Sequence, residues 1–189
     1  MIDDRDRRII AKLQENGRAS IVEIAREIGI SSMGAKKRLD KLFQEGLVKV
    51  KAMINVERLD VKLAMIAMEI ESGEYLREVL RKFEKCPRVV RFFVTAGSYN
   101  LFALVWAEDY HTLESISLEC CSLRAQKGVK RFEFFPIFEI HYEPYVDLKV
   151  LANKEFEKPP CGVDCGSCVR YEEEKCMGCP ATPFYRGRL

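Results

Sequence analysis

The chain of 189 residues predicts an α+β protein in three parts, and three observations predict it. Short amphipathic helices crowd residues 1–55, a βαββαβ alternation fills residues 56–150, and five of the eight cysteines gather within residues 151–189. At roughly 100–200 residues per domain, the length suits one domain or two small ones. Apolar residues make up 48% and charged residues 32% with nearly balanced signs, which excludes long disorder. No apolar run approaches the roughly 18 residues of a membrane span; the longest is Leu101–Ala107. The start Met1-Ile2-Asp3-Asp4-Arg5 is acidic and lacks the apolar core of a signal peptide. A soluble, cytoplasmic protein without a membrane partner is expected.

The net charge of +2 hides a gradient. Residues 1–58 carry 13 Lys and Arg against 9 Asp and Glu, residues 59–150 carry 12 against 14, and residues 151–189 carry 6 of each. The positive excess lies in the first third, where a nucleic-acid surface is to be sought.

Three helices and a strand are expected there. Helix one covers about Asp4–Glu15, with Ile9, Ile10 and Leu13 on one face, and Asn16-Gly17 ends it. Helix two opens on the capping box Ser20-Ile21-Val22-Glu23 and carries the stripe Ile21, Ile24, Ala25, Ile28. Gly29-Ile30 turns the chain into helix three, capped by Ser31. Ala35, Leu39 and Leu42 face inward, Gly46 closes the helix, and a strand follows over Leu47–Ile54. Two helices joined by a short glycine turn form a helix-turn-helix unit, here of the winged type. Burying Ala35, Leu39 and Leu42 turns Ser32, Met33, Gly34, Lys36, Lys37, Asp40 and Lys41 outward. Such a face suits the major groove of double-stranded DNA. Ser32, Met33, Lys36 and Lys37 are expected at base edges, and Arg38, Lys41, Lys49 and Lys51 at phosphates. Gly34 costs helix three about 1 kcal/mol relative to Ala; it either lets DNA approach the backbone or is simply tolerated.

The middle segment follows the order of a ferredoxin-like fold. Strands are expected at Val61–Ile70, Val89–Thr95, Tyr99–Ala107 and Val129–Tyr142, and helices at Glu74–Lys85 and after Asp109. Pro136 places an edge or a bulge in the last strand. Leu63–Met68 and Leu101–Trp106 do not alternate apolar with polar, so both faces of the sheet need cover. The two helices cover one. A second copy of the chain covers the other most simply, with cover by the C-terminal tail as the alternative. A homodimer also spaces two recognition helices about one turn of DNA apart.

Several stretches together carry a family resemblance. They are Ile2-Asp3-Asp4-Arg5-Asp6, Asn16-Gly17-Arg18-Ala19-Ser20, Glu23-Ile24-Ala25, Ile28-Gly29-Ile30-Ser31, Lys37-Arg38-Leu39-Asp40-Lys41-Leu42 and Glu45-Gly46-Leu47-Val48. The hairpin Ala96-Gly97-Ser98-Tyr99-Asn100-Leu101 completes the set. Residues 2–142 resemble an Lrp/AsnC ("feast/famine") transcription regulator. The resemblance implies sequence-specific DNA binding, dimers that assemble further into octamers, and a small effector held near the hairpin. Gly97, Ser98, Tyr99 and Asn100 are its expected contacts. The family commonly has an acid where this chain has Asn100, and an amide offers no full charge to an α-ammonium group. Sirohaem decarboxylases resemble the same two-domain plan, with a histidine before their Tyr-Asn-Leu element. Gly97 stands in that place here, and His111 and His141 lie elsewhere, so the non-enzymatic reading stands ahead of the enzyme alternative.

The tail holds the spacing Cys161-x3-Cys165-x2-Cys168-x7-Cys176-x2-Cys179. Two C-x-x-C pairs across a short loop are a metal signal, and cytoplasmic disulfides are rare. The tail also resembles small cysteine-rich domains opening C-G-x-x-C-x-x-C, which implies a metal without naming it. Zinc through Cys165, Cys168, Cys176 and Cys179 is the favoured expectation, and a [4Fe–4S] cluster that includes Cys161 is the alternative. Cys120 is expected in the core, with Cys86 and Cys121 inert.

Overall fold

A computed structural model describes residues 2–154 and 156–189. The chain divides into two compact units after Ala52. The first unit holds α1 (Asp4–Glu15), α2 (Ile21–Ile28) and α3 (Ser32–Gln44). Reciprocal side-chain bonds start the first two helices. Asp6 N donates to Asp3 Oδ1 at 2.9 Å while Asp3 N donates to Asp6 Oδ2 at 3.2 Å, and Ser20 and Glu23 exchange the same pair. Gly29 ends α2 at φ +66°, a left-handed turn that only glycine adopts cheaply. Ile9, Ile24, Ala25, Ile28, Ala35, Leu39 and Leu42 are buried together, so the outward face of α3 is the one expected.

The strand expected over Leu47–Ile54 is a correction. Residues 47–53 are irregular, and only Ile54–Asn55 (β1) joins a ladder, with Tyr145–Val146 as its partner. Leu47 and Val50 stay about half exposed. An alternating apolar segment with no neighbouring strand has nothing to hold its pleat.

The second unit continues with β2 (Lys62–Ile70), α4 (Gly73–Phe83), β3 (Val89–Val94), β4 (Leu101–Ala107), α5 (Tyr110–Leu118), β5 (Val129–Ile137), β6 (Tyr145–Val146) and α6 (Val169–Glu172). Its four-stranded antiparallel sheet has the order β3-β4-β2-β5, which is the ferredoxin-like arrangement. The last strand stops at Ile137, short of Tyr142, and Pro136 lies on it at the sheet edge, where a missing N–H is tolerated. Among the described residues no helix is long and apolar enough to cross a membrane.

One face of the two central strands is buried and the other is buried in part, by different means. On one face Ala64, Ile66, Met68, Ala103 and Val105 pack with Val79 and Phe83 of α4 and Leu113 of α5. On the other, Leu63 and Trp106 pack beneath Val56 and Leu148, flanked by Ile54, Ile140, Val146 and Leu189. Part of the second face is therefore covered in cis by the β1/β6 ribbon and the chain end. In the middle, Tyr99 reaches across the sheet to donate to Glu133, with its ring edge-on to Phe102 at 6.3 Å. Ala67 lies between Phe102 and Glu133 in the register and is buried. Further along the same face, Phe93 and Phe135 remain 44% and 48% exposed.

Residues 151–189, expected as a third part, belong to the second unit. They dock on α5 through its buried polar groups. Met177 N donates to Thr112 Oγ1 at 3.0 Å, Ser115 Oγ donates to the Lys175 carbonyl at 2.9 Å, and Arg170 donates to Ser115 Oγ and Glu114. Thr112 and Ser115 are almost wholly buried; without the tail they would lack these partners. Buried Arg88 makes the strongest tie. It donates to Glu108 Oε2 at 2.9 Å and to the Gly178 carbonyl at 2.6 Å, and lies over the Trp106 ring.

Replacing Arg88 by Ala leaves Glu108 buried without its cation and Gly178 without its donor. We expect a loss of about 3–5 kcal/mol, read as a lower urea midpoint for the second unit. Arg88→Lys should recover only part of it, because one ammonium cannot reproduce the planar fork.

Candidate functional sites

The outward face of α3 is the first site. Ser32, Lys36, Lys37 and Lys41 are exposed, and Met33 is 78% exposed. Lys49 and Lys51 are exposed on the segment after the helix. Lys41 pairs loosely with Glu45 at 3.7 Å, a contact that competes weakly with a phosphate. Arg38 is placed otherwise than the phosphate contact expected of it. Its Nη1 donates to Asp3 at 2.7 Å and Asp6 at 2.8 Å, so it ties α3 to the start of α1. The Asp6 backbone N–H and then the Arg38 guanidinium hold the Asp3 carboxyl below the usual range. At Gly34 a Cβ would meet Ile30 Cδ1 at 3.2 Å, a contact that a small shift of that side chain relieves.

The hairpin is the second site. Gly97, Ser98 and Asn100 border a cleft of about 330 Å³ with Glu69, Glu71, Lys130 and Arg131. The four charged residues pair across neighbouring strands, Arg131 with Glu69 at 3.2 Å and Lys130 with Glu71 at 3.7 Å. Sequence reading missed them, because their meeting depends on the β2–β5 register. Tyr99, grouped with the hairpin contacts, turns instead onto the second sheet face. Asn100 is a clasp: its Nδ2 donates to the Ile70 carbonyl at 2.7 Å and its Oδ1 accepts from Ile70 N at 2.8 Å. It thus adds one more rung to the β2–β4 ladder. Neither His111 nor His141 borders this cleft.

The third site is a pocket of about 70 Å³ whose walls are almost entirely apolar. Ile66, Phe83, Val89, Val105, Ile116 and Leu123 form its floor and sides. Six thiols face it: Cys86, Cys121, Cys161, Cys165, Cys176 and Cys179. Two departures from expectation stand out. Cys168 caps the start of α6 and does not line the pocket. Cys120 is exposed, while Cys121, expected to be inert, takes the inward position. The helical spacing that pointed to Cys120 fails because α5 ends at Leu118. Burial pushes the Cys165 thiol up to about 11 and the Cys179 thiol up to about 12, and raises Cys86, Cys121 and Cys176. Among the described residues no three Cys, His, Asp or Glu side chains converge closely enough for one metal ion.

Comparison with known proteins decides what the first two sites belong to. A family described as winged helix-turn-helix DNA-binding matches residues 2–49, and the Lrp/AsnC ligand binding domain matches residues 63–146. The regulator LrpA of Pyrococcus horikoshii is 31% identical over 117 residues, which is 61% of this chain and 83% of that protein. A further HTH-type regulator, of Pyrococcus furiosus, is 31% identical over 135 residues, 70% of this chain and 89% of its own length. The chain belongs to the Lrp/AsnC family of transcription regulators. This Lrp/AsnC regulator is also similar in fold to Escherichia coli AsnC, with a TM-score of 0.66 at 22% identity, covering 75% of this chain and 95% of that one. A Neisseria meningitidis regulator solved as an L-Met complex gives 0.68 at 22%, covering 76% and 94%. The enzyme alternative finds no support in these relatives, which are named as regulators. Residues 147–189, with all five tail cysteines, lie outside both matched ranges.

An acid at position 100 of this Lrp/AsnC regulator would accept from Ile70 N but could not donate to the Ile70 carbonyl. Asn100→Asp should therefore lose about 1–3 kcal/mol, seen as a lower melting temperature at neutral pH. Protonating the new carboxyl restores a donor and raises its folded pKa, so the deficit should shrink as pH falls from about 6 to about 4.

Proposed function

We propose that this DNA-binding transcription regulator reads its operator through Ser32, Met33, Lys36 and Lys37, with Lys41, Lys49 and Lys51 at phosphates. The observation that carries this reading is the exposed basic face of α3, held outward by the buried stripe Ala35, Leu39 and Leu42. Lys36 and Lys37 stand one turn past the capped helix start, within reach of guanine edges or phosphates. Arg38 supports the frame through Asp3 and Asp6.

The protein acts as a homodimer formed through the uncovered part of the second sheet face. Phe93 and Phe135 are exposed there, in register with Phe102, Met65 and Leu104. Aromatic side chains on a sheet face gain roughly 25 cal/mol per Å² when another copy removes them from water. Assembly into octamers is the extension that the family resemblance implies. The cleft beside Gly97 and Ser98 is the effector site. Its charges of both signs suit a zwitterion or a polar metabolite better than an apolar ligand.

Two measurements test this reading. Lys36→Ala with Lys37→Ala should weaken operator binding at least tenfold in a gel-shift series and reduce the slope of log K against log salt by about 2; unchanged affinity and slope would refute the role. Phe135→Lys should convert the dimer to monomer in sedimentation without unfolding it, since the side chain is half exposed already.

A further inference from the structure

The thiol pocket is absorbed by neither DNA reading nor the hairpin cleft. Its cysteines come from three separate stretches: Cys86 follows α4, Cys121 follows α5, and Cys161, Cys165, Cys176 and Cys179 belong to the tail. Six sulfurs facing one apolar pocket are far more than chance burial of a small apolar side chain supplies.

Pocket size separates the possible occupants. Four thiolates about 2.3 Å from one zinc ion leave no space between them. Here six cysteines are among the residues that line a space of about 70 Å³, where roughly 10–15 Å³ admits a single water. The walls offer water few partners, whereas a polynuclear metal–sulfide cluster brings its own bulk and takes thiolates as ligands. Arg88, which donates to Glu108 and to the Gly178 carbonyl, also lines the pocket, as does Gly178. We propose that this pocket holds a [4Fe–4S] cluster ligated by Cys161, Cys165, Cys176 and Cys179, with Cys86 and Cys121 closing its wall from the ligand-binding domain.

The assignment departs from the motif. Spacing alone pairs Cys165 with Cys168, but Cys168 lies outside the lining. The centre is then part of the ligand-binding domain, wedged against β3, β4 and α5, and not a separate module. Its assembly or loss acts on the domain that also carries the hairpin cleft.

The test uses the full-length protein purified without oxygen and reconstituted with equal amounts of ferrous and ferric iron and with sulfide. About four iron and four sulfide per protomer are expected, with a broad absorbance near ~400 nm that dithionite bleaches. Cys161→Ser and Cys179→Ser should each lose more than half of the iron, whereas Cys168→Ser and Cys120→Ser should keep it. One zinc per protomer without iron, no bound metal, or loss of iron in Cys168→Ser equal to that in Cys179→Ser would overturn the proposal. Wild-type metal content needs no variant to fold, so it decides even if a cysteine variant precipitates. Operator binding measured on the same samples keeps the two readings apart. Iron with no DNA binding would overturn the regulator reading and support this one.

Discussion

Two adjacent strands that are apolar on both sides must be covered twice, and the rest of the second unit follows from that requirement. β2 and β4 lie at the centre of the sheet, so neither has an edge on which to turn its apolar residues to water. Helices α4 and α5 bury one side. The other is covered in pieces: a two-stranded ribbon with the chain end over Leu63 and Trp106, Tyr99 across Ala67, and open aromatic surface beyond. Each piece brings together residues far apart in sequence. A second copy therefore has only the remaining strip to cover.

Much of this was legible in the residues. The capping box at Ser20, the turn at Gly29 and the inward stripe of α3 are local features, and the structure keeps them. The βαββαβ order was legible from the same local signals, as was the need for cover on both faces. What failed did so where partners decide. Leu47–Ile54 has a strand's alternation but no neighbour to pair with. Arg38 sits on the basic helix, yet its partners lie more than thirty residues away at the start of α1. Asn100 borders the cleft expected to hold an effector, and only the end of the β2–β4 ladder shows it also as a rung.

The cysteines show the same limit most sharply. Motif spacing reports which thiols a tight turn can bring together; it says nothing about thiols supplied by another element. Cys86 and Cys121 carried no spacing signal, because each stands in a different loop. Cys120 seemed the buried neighbour only while α5 was extended past Leu118. A helix that stops two residues earlier changes which of two adjacent cysteines faces inward.

Docking of the tail explains why α5 tolerates buried Thr112 and Ser115. Ser115 Oγ also donates to the His111 carbonyl of its own helix at 2.8 Å, whereas Thr112 Oγ1 takes its bond from the tail. Here the tail supplies a backbone N–H to one and a carbonyl to the other, while Arg88 binds the Gly178 carbonyl from the sheet side. These bonds demand a fixed path for residues 175–178, and that path leads directly to Cys176 and Cys179. The same polar contacts that satisfy the helix thus aim two thiols at the pocket. A tail recruited only for stability would need the bonds and no sulfur; one recruited only to bind metal would need the sulfur and no bonds. The two occur within four residues of each other, so the state of the pocket and the packing of α5 are mechanically one element.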